Sequence, residues 1–450
     1  MVFSQGLRAI CTLGVLLGGL SGRALAATSW IVPGAVWTDT SGTKIDAHGG
    51  QVFQTGTNFY WVGAAYGDNT YPNIYSSTDL LNWEHEGYAT TTVPWMYRPK
   101  MFQSGGNYYI WGQVNRDVQA LKSSTPSGGF SVYGSPFTLP PDARTYSDEG
   151  VFVDDDGDAY FLTSADSNNI QVNQINGGSS ISIGDRVADL EGNYEAPGML
   201  KSDGVYYLIV SSKTGYRPNP NKSFWSTSLT GSWSGPSDIA PESTNTYNSQ
   251  NTNELKITGS SVTTWIYMGD DWDADGTAAA NYVWLPISID SGSHTLTLQD
   301  YAYWRVDVNT GVVTTSTTGK RYEAHDGLVM RRGFEDSPAM YAEHKRSQAV
   351  HNIDHESNVT FTGIEGTGEP QWVSIHYTVN NATAGEAHVH VNGEKIKISD
   401  KNSRAGKFAT VPVNLKLRKG ADNVLTFGCD KRSENDHFEA RLEGIEVIDD

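Results

Sequence analysis

Short apolar strands alternate with polar turns along most of the chain. Between Gly49 and Asp290 one unit recurs, consisting of an apolar strand, a Gly/Asp/Ser turn and an aromatic-rich strand. The five copies read GGQVFQTGTNFYWVG, RPKMFQSGGNYYIWG, EGVFVDDDGDAYFLT, APGMLKSDGVYYLIV and TNELKITGSSVTTWIYMG. Tyrosines stand at corresponding places of the first four copies, 49, 51 and 47 residues apart, and they are Tyr60, Tyr109, Tyr160 and Tyr207. Each copy is therefore predicted to form one small sheet.

The repeat predicts a five-bladed β-propeller over residues 27–310. One small sheet cannot bury both of its faces until it packs between neighbours, so five consecutive copies favour a closed ring of five sheets. Trp83 and Trp233 end outer strands in two copies. We expect these tryptophans to pack between blades.

A second unit follows a short polar stretch. Residues 311–320, GVVTTSTTGK, have no apolar period and predict a linker or the exit from the last blade. Beyond them, segments such as HVHVNG and VPVNLKL alternate between apolar and polar positions and are separated by turn residues. This pattern predicts a β-sandwich of the jelly-roll type over residues 321–450. No long amphipathic helix is indicated, and the predicted class is all-β.

The first residues are typical of a secretory signal. An arginine precedes an apolar run from Ala9 to Leu20, and small residues follow that end in ALA. Residues 1–26 are therefore predicted to be a signal peptide cleaved after Ala26, and the mature protein is expected to be secreted and extracellular. Cys11 would leave with the signal, so Cys429 has no partner for an intrachain disulfide.

Net charge and composition indicate which classes of molecule the protein can bind. A formal charge of −19 with 18% charged residues argues against nucleic acid and anionic membrane surfaces. A neutral polymer is favoured, and the 13 Trp and 23 Tyr include faces suited to sugar rings, although most are expected in the sheet cores. Asn221, Asn358 and Asn381 lie in sequons for N-glycosylation, which fits a secreted protein. Chance would produce such sequons about equally often in a chain this rich in asparagine and threonine.

The repeat also predicts a site, because the inner strands of a propeller converge on its axis. The strand entrances DAHGG, YRPK, SDEG, YEAPG and SQNTNE bring Asp148 and Glu195 to one cavity, with Tyr97 and Gln250 beside them. Two carboxylates across a sugar pocket suit glycosidic cleavage. Glu195 is the expected general acid, with its pKa raised by the negative charge of Asp148. The alternative is that both carboxylates only cap strand ends.

Several motifs resemble a known family. In order, AHGG, RPK, DDDG, EAPG, PNPNK, SQN and YMGD resemble glycoside hydrolase family 43, and in particular its exo-β-1,3-galactanase group, from about Val32 to Asp307. The C-terminal part opens with YEAHDG and closes with LEGIEV. It is similar to a family 35 carbohydrate-binding module.

The resemblance implies an inverting glycosidase. Its acid falls on Glu195, its pKa-setting aspartate on Asp148, and the glutamine that holds the attacking water on Gln250. The usual base of the first blade is replaced by Gly49 and Gly50, as in the galactanase group. A neutral amide accepts protons poorly unless it reacts as the imidic tautomer, so Asp46 is a second candidate for the base.

The resemblance also implies residues that bind substrate. They are Tyr97, Arg98, His48, Asn251, Asp270 and Trp272. Tyr97 stands where the group usually has a glutamate, and a phenol can form hydrogen bonds and stack on a sugar without carrying charge.

The C-terminal module is expected to bind a structural calcium, while no cofactor is required for catalysis. Glu323 and Glu443 match calcium-binding positions of related sandwiches, and hard oxygen ligands suit that ion. His325 occupies a place that is more often acidic, and plain surface carboxylates are the alternative. Trp372 could stack on galactose or fill the core, and the core is favoured.

The function implied is the release of galactose from the β-1,3-galactan main chains of arabinogalactan proteins by a secreted exo-acting hydrolase. The same propeller also carries arabinofuranosidases and β-xylosidases, which SQN and the missing first-blade base argue against. A sugar-binding protein without activity is the alternative from another class, because the base is missing and Tyr97 replaces a carboxylate.

Overall fold

The computed structural model describes residues 30–448 with gaps at 67–68, 179, 273–275, 278–279, 317–318, 332–344, 347–348, 355–356, 380–384, 401–407 and 429–438. The predicted signal peptide, Cys429 and Asn381 lie outside the described residues. Nearly all regular structure is β-strand, which confirms the all-β class. Within the described ranges, no helix has the length and apolar character needed to cross a membrane.

The first twenty strands form five sheets of four strands each. In chain order they are β1 His48–Thr55, β2 Asn58–Ala64, β3 Pro72–Ser77, β4 Glu84–Tyr88, β5 Met96–Ser104, β6 Asn107–Val114, β7 Asp117–Ser123, β8 Ser131–Phe137, β9 Glu149–Val153, β10 Ala159–Ala165, β11 Asn169–Asn176, β12 Ser182–Leu190, β13 Tyr194–Ser202, β14 Val205–Ser212, β15 Lys222–Ser226, β16 Ser234–Asp238, β17 Gln250–Thr258, β18 Thr263–Asp271, β19 Asn281–Asp290 and β20 Thr295–Leu298. Before β17 lie a 3-10 turn at Glu242–Thr244 and a single four-residue turn, α1, at Asn245–Asn248, whose φ values are left-handed.

Each of these sheets is an antiparallel meander whose strands pair in chain order. The first strands contact one another in a ring, because β1 touches both β5 and β17, β9 touches β5 and β13, and β13 touches β17. The repeated tyrosines hold equivalent positions in the first four sheets. Each lies opposite an apolar residue of the first strand, in the pairs Phe53 with Tyr60, Phe102 with Tyr109, Phe152 with Tyr160 and Leu200 with Tyr207.

Apolar clusters lie between neighbouring sheets and hold them together. Trp61 of β2 packs edge-on against Trp83, with ring centroids 5.3 Å apart, and lies 4.8 Å from Trp284 of β19. These three buried rings join the first sheet to the fifth. Trp233 packs against the cluster between the third and fourth sheets. Both outer tryptophans thus lie between sheets, as predicted.

The remaining strands form a two-stranded ribbon, a six-stranded sheet and a five-stranded sheet. In chain order they are β21 Tyr303–Val306, β22 Val313–Ser316, β23 Gly319–Glu323, β24 Leu328–Arg331, β25 Lys345–Arg346, β26 Ala349–Ile353, β27 Ser357–Gly366, β28 Pro370–Val379, β29 Gly385–Val391, β30 Glu394–Asp400, β31 Phe408–Lys416, β32 Gly420–Gly428 and β33 Ala440–Ile448. A 3-10 turn, Ala324–Asp326, follows β23. The two larger sheets share one apolar cluster built from residues of both.

The connection at residues 311–320, predicted to be a linker or the exit from the last blade, includes paired strands in its described part. It contains β22, which pairs with β21, and the start of β23, which pairs with β33. Threonine and valine suit extended backbone, so a polar run of this composition can pair as an edge strand without an apolar period.

The segment before β1 ties the two parts of the molecule together. Ile31 bridges Trp304, and Val36 donates from its backbone N–H to the carbonyl of Thr410 at 3.1 Å. Trp372, only 6% exposed, lies in a cluster that also contains Trp30, Ala35, Tyr303 and Ile448. Trp372 therefore fills a core, which is the favoured reading of this residue.

Candidate active site

The entrances of the inner strands have irregular backbones. The pairing register shifts at β1, β5, β13 and β17. Left-handed φ values occur beside these shifts and at the matching place before β9, at Gly49 (60°), Arg98 (46°), Asp148 (43°) and Ala196 (55°). Such values are unfavourable for residues other than glycine, and the surrounding structure must enforce them. These bulges turn the entrance side chains away from a regular ladder and toward a common site.

Glu195 is held by an amide. Nε2 of Gln250 donates to Oε1 of Glu195 at 3.0 Å. Burial, followed by the negative charge of Asp148, raises the pKa of Glu195 to about 7. Burial is therefore a larger cause than the like charge named by the sequence argument. Because Oε1 accepts a hydrogen bond, the proton of the neutral acid belongs on Oε2.

All four hydrogen-bonding positions of the Gln250 amide are occupied. Its Nε2 also donates to Oγ of Ser211 at 2.9 Å, while its Oε1 accepts from Nη2 of Arg98 and Nε1 of Trp272, both at 2.7 Å. A primary amide offers two donors and two acceptor lone pairs, so these partners fix which end points to Glu195. Two donors at the oxygen also oppose the imidic tautomer, which carries a hydrogen on that oxygen.

The distance between Gln250 and Glu195 differs from the expected one. Inverting glycosidases separate the acid from the group across the water by roughly 6.5–9.5 Å. Gln250 instead touches Glu195 directly, at 3.0 Å. In this arrangement no water fits between the two groups, and the amide acts on the acid itself.

Asp148 and Arg98 form an ion pair inside the site. Nε of Arg98 lies 2.9 Å from Oδ1 of Asp148, and the backbone N–H of Ala196 donates to Oδ2 at 3.1 Å. Asp148 therefore fixes the residue that follows Glu195. Arg98 is buried, and it also donates to the carbonyl of Asn251 at 3.2 Å. One guanidinium thus joins the second, third and fifth sheets.

The first and fifth sheets meet at a buried histidine. His48 stacks on Tyr282 with centroids 4.9 Å apart. Its Nδ1 lies 3.6 Å from Oδ1 of Asp270, and its Nε2 lies 3.6 Å from Oδ1 of Asp46. Asp270 also accepts from the N–H of Gly49 at 2.5 Å. Asp46 is thus bound into the first-sheet entrance.

The predicted catalytic and substrate-binding residues differ in how far they are buried. Glu195, Asp148 and Tyr97 remain partly exposed. The other five predicted contacts are buried, namely Arg98, His48, Asn251, Asp270 and Trp272. Their positions favour a role in holding the exposed groups, and direct contact with substrate stays a prediction for them.

An aromatic wall, made of Tyr66, Tyr97, Tyr216 and Trp272, adjoins Gln250, to which Trp272 donates a hydrogen bond. The ring of Tyr66 lies 6.1 Å from Tyr97, 6.2 Å from Tyr216 and 5.5 Å from Trp272. Tyr216 is 37% exposed, and Gly276 packs against its ring so closely that an added Cβ would come within 2.5 Å. Aromatic faces of this kind suit the apolar face of a pyranose.

Sequence reasoning missed several of these residues. Tyr66 and Tyr216 lie in loops after β2 and β14, outside the repeated strands. Ser211 and Lys213 are also missing from the prediction. Lys213 carries a positive charge near Glu195 and Asp148, and burial lowers its pKa. Tyr216 could have been predicted from the sequence, because it lies between the motifs EAPG and PNPNK.

The predicted calcium ligands are engaged with arginines. Glu323 accepts from Nε of Arg321 at 2.8 Å, and Glu443 pairs with Arg441. Nε2 of His325 lies 3.2 Å from Oδ1 of Asp326. Across the described ranges, no three His, Cys, Asp or Glu side chains group as a metal site would require. Calcium binding by this module therefore stays a prediction of the sequence.

A carboxylic acid with a pKa near neutrality, a neighbouring carboxylate and an aromatic wall together suit the cleavage of a glycosidic bond. The family model for glycosyl hydrolases family 43 matches residues 44–272. The chain belongs to this family.

Solved structures that are similar to this chain include exo-β-1,3-galactanases. The exo-β-1,3-galactanase from Phanerochaete chrysosporium, crystallised with galactose, is 31% identical and has a TM-score of 0.69, over 93% of this chain and all of that one. The exo-β-1,3-galactanase from Clostridium thermocellum is 23% identical, with a TM-score of 0.59 over 92% of this chain and 99% of that one, and supports the fold alone. A comparison with curated protein sequences gave no match.

Proposed function

We propose that the protein is an exo-acting hydrolase that releases galactose from β-1,3-galactan main chains, such as those of arabinogalactan proteins. The observation that carries the proposal is Glu195, a carboxyl with a pKa of about 7 held by Gln250 beside Asp148. The similarity to an exo-β-1,3-galactanase crystallised with galactose supports the substrate class.

The architecture proposed for this activity is a five-bladed β-propeller followed by a β-sandwich. Five meander sheets whose first strands contact one another in a ring support the propeller. Two larger sheets around one apolar cluster support the sandwich. The sandwich would act as a carbohydrate-binding module that adds avidity for the polymer.

The proposed reaction begins with Glu195 protonated. Its Oε2 gives a proton to the departing glycosidic oxygen as the bond to the anomeric carbon breaks, while water attacks that carbon from the opposite face and inverts it. The water's proton passes to an acceptor on that face. Gln250 and Asp46 are the two predicted acceptors, and the direct contact of Gln250 with Glu195 argues against the glutamine. Burial, followed by the negative charge of Asp148, keeps Glu195 protonated near neutral pH.

The substrate would be held by exposed groups around this acid. Tyr97 and Tyr216 line the aromatic wall, where a galactose ring can stack. The protein is further proposed to be secreted after cleavage at Ala26, on the basis of its apolar N-terminal run. An extracellular polysaccharide is then the accessible polymer.

One incubation series tests the activity. The purified protein is given β-1,3-galactan, an aryl β-xyloside and an aryl arabinofuranoside, with Glu195→Gln as the inactive control. Release of galactose from the galactan alone supports the proposal. Hydrolysis of the xyloside or arabinoside alone would assign the protein to another activity of the family, and no hydrolysis would favour a sugar-binding protein.

A further inference from the structure

A buried asparagine, Asn221, forms hydrogen bonds with the backbone on either side of Gln250, the residue that contacts Glu195. Asn221 is 1% exposed and belongs to the motif PNPNK. Its Oδ1 accepts from the backbone N–H of Asn251 at 2.9 Å, and its Nδ2 donates to the carbonyl of Ser249 at 3.0 Å. Asn221 therefore bonds to the backbone on both sides of Gln250.

The backbone at Gln250 lies between two irregular stretches of chain. Residues 245–248, just before it, have left-handed φ values between 49° and 60°. Just after it, the pairing of β17 with β18 shifts register between Asn251 and Asn253. Between these two stretches, Gln250 and Asn251 pair with Asp270 and Gly269 of β18. The side chain of Asn221 adds bonds to the backbone on both sides of Gln250.

Asn221 is itself held rigidly. Its Nδ2 also lies 2.9 Å from the carbonyl of Asn219 and 3.1 Å from Oγ1 of Thr246, which in turn accepts from the N–H of Asn221 at 2.8 Å. Asn219 fixes the preceding loop by donating to the carbonyl of Ser212 at 2.8 Å. The two asparagines of PNPNK thus link the loop after β14 to the start of β17.

We propose that Asn221 is a positioning residue of the hydrolytic reaction, which places Gln250 against Glu195 by holding the backbone at Ser249 and Asn251. The role rests on the proposed function only for the choice of substrate. A structural role for the Asn221 side chain also implies that its sequon is not glycosylated, because a glycan on Nδ2 would displace the hydrogen bonds that hold the backbone beside Gln250. Active enzyme is therefore expected to be unmodified at Asn221.

The test compares Asn221→Ala with a matched buried asparagine. Asn173 is fully buried in β11, where its Nδ2 donates to the carbonyl of Gly184 at 2.9 Å and its Oδ1 accepts from Nε2 of Gln171 at 2.7 Å. Asn221→Ala should lower kcat at least about tenfold while KM changes by less than about threefold. Asn173→Ala should lower the thermal unfolding temperature and leave kcat near wild type.

The pH profile separates positioning from general stability. Gln250 donates to the Glu195 carboxyl and thereby lowers the pKa of that acid. Displacing Gln250 should therefore move the alkaline limb of kcat/KM to higher pH in Asn221→Ala, and Asn173→Ala should leave the limb in place. If Asn221→Ala fails to fold, Asn221→Ser serves as the second variant, because a short hydroxyl cannot span both Ser249 and Asn251.

A folded Asn221 variant with wild-type kcat and an unmoved limb would overturn the positioning role, as would active enzyme carrying a glycan at Asn221 in peptide mass spectra. Failure of the wild type on galactan would overturn the proposed function only. The comparison would then use whichever glycoside is hydrolysed, or the Glu195 titration followed by carboxyl carbon NMR, which needs no turnover.

Discussion

The guanidinium of Arg98 lies 2.9 Å from Asp148 at one end and donates to Gln250 at 2.7 Å at the other. Arg98 thus connects the carboxylate that raises the pKa of Glu195 to the amide that holds Glu195 in place. Its own positive charge lowers the pKa of Glu195. The pKa of Glu195 is therefore set by burial and by two opposing charges that are fixed in one ion pair.

Glu195→Gln should abolish hydrolysis of galactan while the fold persists. The amide keeps the shape of the side chain but has no proton to give to a poor leaving group. The loss should far exceed that of Tyr97→Phe. Galactose release measures the effect, with Glu191→Gln, an exposed glutamate four residues earlier, as the control. Activity above about a tenth of wild type, a loss of under about 1.4 kcal/mol, would remove Glu195 from the acid role.

Asp148→Asn should move the alkaline limb of the pH profile to lower pH. A general acid must be protonated, so activity falls as pH rises through the pKa of Glu195, about 7 in the native protein. Without the negative charge of Asp148 this pKa falls, and the limb should move down by about one pH unit. Asp156→Asn, at an exposed turn, is the control. An upward or absent shift would contradict the electrostatic role of Asp148.

Gln250→Ala should disable the enzyme, and Asp46→Asn should be mild. Gln250 contacts the acid directly, whereas Asp46 accepts from the N–H of Tyr66 at 3.0 Å and faces His48. Product anomers followed by NMR in both variants and the wild type provide the measurement. Retention in the wild type would refute inversion. An inactive Asp46→Asn beside an active Gln250→Ala would give the base role to the aspartate.

Glu254→Gln should reduce the pH dependence of stability. Burial raises the pKa of Glu254 to about 8, from 4.5 in an ordinary glutamate. Between about pH 5 and pH 8 the native state keeps a proton that the unfolded chain releases, so stability falls as pH rises through this window. The wild type should lose up to about 1.4 kcal/mol per pH unit more than Glu254→Gln. Denaturant unfolding at several pH values tests this, with the exposed Glu242→Gln as control; equal slopes would be the contrary result.

Trp372→Ala should destabilise the protein without changing turnover of short substrates. The ring packs with Trp30 and Tyr303 in a cluster shared by both parts of the molecule. Truncating a buried tryptophan costs about 3–5 kcal/mol through lost burial and the remaining cavity. Thermal unfolding and disaccharide hydrolysis are the measurements, and Val424→Ala, at an exposed site, is the control. Loss of disaccharide turnover in folded Trp372→Ala would show that the two parts build one site.

The β-class, the five repeated sheets and the strand entrances that carry the acid can all be predicted from the order of residue types along the chain. These features depend on local information, because turn residues and alternating apolar positions set each strand and its neighbour. Tyr60 lies opposite Phe53, and Tyr109 opposite Phe102, as a repeat with a period near fifty residues requires. The same repeat brought Glu195 and Gln250 together although 55 positions separate them.

The contacts that hold the site residues in place could not be predicted from the sequence. The occupied amide of Gln250, the burial of His48 and Asp270, and the hold of Asn221 on both neighbours of Gln250 depend on contacts between different sheets. Bulges and left-handed residues aim these side chains, and one shifted register moves a residue to the other face of its strand. A polar residue's role follows from which partner occupies each donor and acceptor, and a linear pattern of residue types does not contain those pairings.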